Sequence, residues 1–151
     1  MDSSHRLPSF FARRVNSLWA IAYDDVRYNA ALGCAVLDVI EEEDLIENVN
    51  SVGKYLKDKV NNFVNKYEMV GDVRGQGLFI GIECIQGNEN SEPNKELAIE
   101  FVEKMKQKGF LISNAGQFRN VLKIRPPLVF QKEHADSLCE VLEETLDEFH
   151  T

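Results

Sequence analysis

The stretch YEMVGDVRGQGLFIGIECI, residues 67–85, sets four glycines in a run of apolar residues. A phosphate-binding glycine loop must come after a strand and open a helix, so that free helix N–H groups meet the phosphate. Here Gly75-x-Gly77 runs into LFIGIECI, whose β-branched and aromatic residues favour a strand. No Lys-Ser/Thr pair comes next, as a P-loop would need. The stretch therefore reads as two strands. Met69, Val70 and Val73 lie in the first, Leu78 to Ile85 in the second, and Arg74-Gly75-Gln76-Gly77 makes the turn. Glycine supplies positive φ at such a turn, and Gly81 leaves room for a close neighbour.

Helices flank this hairpin. Upstream, Ile46, Val49, Gly53, Leu56, Val60 and Phe63 recur at steps of three and four, with Lys54, Lys57 and Lys59 off that stripe. Before it, YNAALGCAVLDVIEEED (28–44) reads as a helix with a small-residue face. Gly33 inside it costs about 1 kcal/mol against alanine, which predicts a packing reason. Downstream, residues 87–92 read as a polar loop. Pro93 then suits the first turn of a helix striped by Leu97, Phe101 and Met105 and stopped at Gly109. Phe110–Ile112 and Val121–Ile124 read as short strands, the second ended by Pro126-Pro127. A last helix runs from about Lys132 to Phe149, with Gln131 as an indifferent N-cap. The order α-α-β-β-α-β-β-α predicts an α+β fold: a small, mostly antiparallel sheet of about four strands with helices on one side. Residues 1–27 read as a poorly ordered leader and 28–151 as the domain.

Bulk properties narrow the function. The chain has 151 residues, a net charge of -8 and no basic stripe, which argues against a nucleic-acid partner. No apolar run is long enough to span a bilayer. Three cysteines at spacings matching no zinc pattern read as buried small hydrophobes. His5, His134 and His150 are scattered, so no metal cage, nucleophile–base pair or catalytic residue can be assembled. The first residues, with Arg6, Arg13, Arg14 and several serines, resemble a weak mitochondrial presequence. A cytoplasmic setting stays open.

Three segments in register, LGCAVLDVIEEEDL, VGDVRGQGLFIGIE and RNVLKIRPPLVFQKEHADSLCEVLEETL, resemble the C-terminal small domain of class III pyridoxal-phosphate aminotransferases. The branch is the alanine–glyoxylate aminotransferase 2-like group, with its phospho-lyases, and the resemblance covers about residues 32–148. It implies a small domain of a fold-type I enzyme, a dimer, and an amine or phospho-amine substrate. It also implies that pyridoxal phosphate and its lysine belong to a large domain, so that this chain alone holds no cofactor and is inactive. The Gly-Gly-Asn-Pro segment common before the alanine-rich helix is replaced by AIAYDDVRYNAAL. Many members place an arginine three residues before Pro-Pro, where it grips the substrate carboxylate. Here that position is Lys123, a point charge rather than a fork, which suits another kind of anionic end. Lys123 is thus a candidate substrate-binding residue and Arg125 a weaker one, while Arg74 reads as a brace for the turn. A second expectation is a non-catalytic module that docks on a homologous subunit or large domain.

Overall fold

The computed structural model describes residues 9–87 and 90–149. Helix α1 (Ser9–Glu42) forms one compact unit with the residues before Asp44, and the rest of the chain forms another. Residues 9–27, expected as an unstructured leader, are thus helical. The physical reason is local: no glycine or proline interrupts residues 9–32, and Pro8 precedes a helix start comfortably. The presequence reading of the first residues, Arg6 to Arg14 included, lies in part outside the described residues. The packing neighbour expected for Gly33 is not found among the described residues, where a Cβ placed there meets nothing within 4 Å. Cys34 is exposed rather than buried, unlike Cys84 and Cys139.

The second unit is an α+β layer. Helix α2 (Leu45–Lys66) leads into β1 (Val70–Gln76) and β2 (Phe79–Gly87), and β3 (Asn90–Pro93) pairs back onto β2. Helix α3 (Lys95–Gln107), strands β4 (Ser113–Ala115) and β5 (Val121–Ile124), and helix α4 (Lys132–Asp147) complete it. The sheet order is β1-β2-β5-β4 with every pair antiparallel. Three details differ from the sequence reading. The turn is Gly77-Leu78, one pair later than expected, with Gly77 at φ 53 in its first position. A fifth strand replaces the polar loop, and Pro93 ends it opposite Ile85 instead of opening α3. Asn94 caps that helix, its side chain accepting from the Leu97 N–H at 3.0 Å. Finally, strand β4 starts at Ser113, just after the predicted Phe110–Ile112.

Alternation sorts the sheet into two faces. Val73, Ile80, Ile82, Cys84, Leu122 and Ile124 are buried and meet Leu56, Val60 and Phe63 of α2, Phe101 and Met105 of α3, and Leu138 and Leu142 of α4. Leu45 replaces the expected Ile46 at the start of the α2 stripe; Ile46 is exposed. Every buried side-chain polar atom among the described residues has a partner. Where α2 meets the hairpin, glycine faces glycine: a Cβ on Gly53 of α2 would lie 2.3 Å from the Gly77 carbonyl carbon. Lys57 Nζ also donates to the Gly75 carbonyl at 3.1 Å.

This packing can be tested at both ends. Gly53→Ala gains about 1 kcal/mol of helix propensity but must push α2 off the hairpin, and such overpacking costs about 1–3 kcal/mol, occasionally more. The net effect should be a lower urea midpoint. At the other end, Lys108 and Lys104 hold the Glu148 carboxyl down from its usual 4.5 to about 2. A carboxylate depressed by folding contributes stability above pH 4.5 that is lost as pH falls towards 2. Melting temperature should therefore drop over that window, and less steeply in Glu148→Gln.

Candidate functional site

The face of the sheet turned away from the helices carries a group of charged side chains. Register places Arg74 beside Gly81, Gly81 beside Lys123, and Lys123 beside Ser113, in one row across four strands. The next row holds Asp72, Glu83, Val121 and Ala115. Gly81 has no side chain, so the row dips between its two cations. Phe79 and Val121 wall the dip, giving a hollow of about 300 Å³. Gly81 does have the close neighbour expected of it: a Cβ there would come within 3.0 Å of Val121 Cγ1.

The two cations differ in state. Arg74 donates to Asp72 at 2.8 Å and to Glu83 at 2.6 Å. These partners, Glu83 first, raise its pKa and keep it charged. Arg74 thus ties β1 to β2, the bracing role read from the sequence, though across the strands and not at the turn. Lys123 is half-buried, and among the described residues its ammonium has no hydrogen-bond or ion-pair partner. It is the uncompensated charge of the hollow.

Asn120 holds this arrangement from below. It is 2 % exposed, and its amide donates to the Cys84 carbonyl at 2.9 Å and to Glu83 Oε1 at 3.3 Å. Its own carbonyl accepts from the Cys84 N–H at 2.8 Å. Glu83 is therefore shared between Asn120 and Arg74. Sequence reasoning missed both residues: an asparagine before a strand reads as a turn residue, and only the β2–β5 pairing puts it under Glu83.

Arg125, the other predicted candidate, is not brought to Lys123. It is exposed and lines a separate hollow of about 260 Å³ with Phe110, Leu111, Pro126 and Pro127. A third hollow, about 350 Å³ and almost wholly apolar, lies between Val129, Phe130 and α4. His134 borders it, but its Nδ1 accepts the Gln131 N–H at 3.1 Å and so caps α4. Burial pushes the Cys84 thiol up to about 12 and the Cys139 thiol to about 11, which makes both poor nucleophiles. No group of three metal-ligating residues occurs among the described residues. No helix residue lines the Lys123 hollow, so it lacks the cluster of N–H groups that commonly cradles a cofactor phosphate. What it can do is hold one negative charge beside an apolar wall.

Residues 27–146 match the family described as aminotransferase class-III. The chain is 43 % identical over 111 residues to alanine–glyoxylate aminotransferase 2 homolog 2, mitochondrial, of Arabidopsis thaliana, covering 74 % of this chain and 23 % of that protein. It is 36 % identical to an alanine/serine racemase of Pyrococcus horikoshii, covering 74 % of this chain and 23 % of that one. Among solved structures, a phospholyase from Arthrobacter in complex with phosphoethanolamine superposes with TM-score 0.74 and 43 % identity, covering 76 % of this chain and 27 % of that chain. The chain thus spans about a quarter of the length of these relatives. No helix among the described residues is long and apolar enough to cross a membrane.

The bridging role of Asn120 is open to test. Asn120→Ala should cost about 1–3 kcal/mol, the range for losing buried hydrogen bonds. Asn120→Asp should cost more at neutral pH than at pH 5, because a second carboxylate then faces Glu83. Urea unfolding at the two pH values distinguishes the two effects.

Proposed function

The chain belongs to the class-III aminotransferases, a pyridoxal-phosphate-dependent family, and on that premise we propose that it supplies the substrate-facing small domain of such an enzyme. In this reading the cofactor serves as electron sink and is held by a large domain, not by these residues alone. The chain's own contribution is Lys123. Its unpartnered ammonium takes the anionic end of an amine substrate, and Phe79 and Val121 exclude water beside it. The observation that carries this is the contrast across Gly81: Arg74 is neutralised by two carboxylates, while Lys123 is not.

A lysine offers a compact charge with three rotatable donors, where a planar carboxylate is better matched by an arginine fork. A phosphate, which needs no planar fork, suits that point charge, and in this reading the substrate class is a phospho-amine. The phosphoethanolamine bound to the similar phospholyase supports this choice over an α-carboxylate. Arg125, on a separate hollow, has at most a weaker part in this reading. A mitochondrial setting is supported by the name of the plant relative and by the basic start of the chain.

One further observation favours a docking role. Leu111 is 86 % exposed and Phe79 54 % exposed in the sheet unit, and a partner on that unit would cover them. The partner in this reading is the large domain of a homologous enzyme.

Nuclear magnetic resonance titration of the chain tests the assignment. Phosphoethanolamine should shift the amides of Gly81, Val121 and Lys123, and ethanolamine should not. Lys123→Gln should weaken binding about tenfold or more, as loss of a charged hydrogen bond of about 1.5–3 kcal/mol requires; Arg125→Ala should weaken it less. Equal shifts from ethanolamine would remove the phosphate from the proposal. Incubation with pyridoxal phosphate and borohydride should leave no stoichiometric adduct on any single lysine, by mass spectrometry. Such an adduct would show that the chain holds the cofactor itself.

A further inference from the structure

Arg74 lines the same hollow as Lys123, on the other side of Gly81. Register puts Arg74 of β1, Gly81 of β2 and Lys123 of β5 in one row. Neighbouring strands lie about 4.8 Å apart, so the two cations rise from backbones about 10 Å apart. Both side chains are long enough to lean over the glycine toward one ion. The charge of Arg74 is matched, but its donors are not all spent. A guanidinium carries five N–H groups, two on each Nη and one on Nε. The bonds to Asp72 and Glu83 both leave from Nη1, at 2.8 and 2.6 Å. The three N–H groups on Nε and Nη2 take no part in either. The engaged nitrogen is also well anchored: Glu83 accepts from it at Oε2 and from the buried Asn120 amide at Oε1. A brace between these carboxylates needs one nitrogen, and a lysine ammonium with three donors would serve. An arginine at this position leaves a planar edge over.

We propose that Arg74 is a second substrate-binding residue of this hollow, its Nε–Nη2 edge bonding two oxygens of a phosphate whose third oxygen meets the Lys123 ammonium. This rests on the substrate-binding role of Lys123 and deepens it, by naming the group that turns charge attraction into recognition of a phosphate. A phosphate can be held by a point charge alone, but a guanidinium edge adds two parallel N–H···O bonds and fixes its orientation. A phosphate monoester offers three acceptor oxygens, enough for the edge and the ammonium together. A carboxylate offers two, which one of the cations already fills. Arg74 keeps its bonds to Asp72 and Glu83 throughout. The hollow therefore retains one uncompensated charge, and preference for the three-oxygen end comes from donor count rather than from added charge.

Titration of the full chain with phosphoethanolamine tests this through a side-chain signal. The Nε–H resonance of Arg74, assigned through its own side-chain carbons, should shift on saturation, and ethanolamine should leave it in place. Arg74→Lys keeps a cation for Asp72 and Glu83 but lacks the edge. Its affinity for phosphoethanolamine should fall about tenfold or more, while its melting temperature changes little. Shifts at Gly81, Val121 and Lys123 with an unmoved Arg74 Nε–H would overturn this inference and leave the role of Lys123 standing. Wild-type affinity in Arg74→Lys would do the same. The wild-type Nε–H signal decides the matter even where the variant does not fold. No shift at any of these positions would remove both roles together.

Discussion

Helix α2 lies on the β1–β2 hairpin at a distance that only two facing glycines permit. Gly53 meets the backbone of Gly77, and Gly77 in turn leaves room for Val49, whose Cγ1 would be 2.6 Å from a Cβ there. That contact sets how deep the helix sits, and so how far Leu56, Val60 and Phe63 reach into the sheet. It also explains the position of the turn. With φ 53 at Gly77, the chain reverses in two residues and Arg74 stays inside the strand, where register sets it beside Gly81 and Lys123.

With one face of the sheet given to the core, the other is left for polar work. Its order comes from a chain of hydrogen bonds that begins in the interior: Asn120 to Glu83, Glu83 to Arg74, Arg74 to Asp72. Each link uses up a charge or a donor. Lys123 stands outside the chain, and that asymmetry gives the hollow a single available cation.

The similar proteins carry names from different chemistries, an aminotransferase, a racemase and a phospholyase. What the region shares with all of them is its fold. Binding at a remote substrate end can still contribute to rate, because it positions the reacting centre.

The α+β class and most helix faces were legible in the sequence, because hydrophobic period is a local property. The three-four spacing of Val60 and Phe63, or of Leu138 and Leu142, needs no partner to be seen. The failure of Gly75-x-Gly77 as a phosphate loop was legible too, since the segment after it has strand and not helix character. Lys123 was legible only through family resemblance, and its lack of a partner only in the structure. The turn position, the short strand at Asn90–Pro93 and the bridging Asn120 were not readable, because each depends on which residues face each other across paired strands. Sequence determines what each segment prefers to bury; pairing decides which polar groups are left over, and those remaining groups make the site.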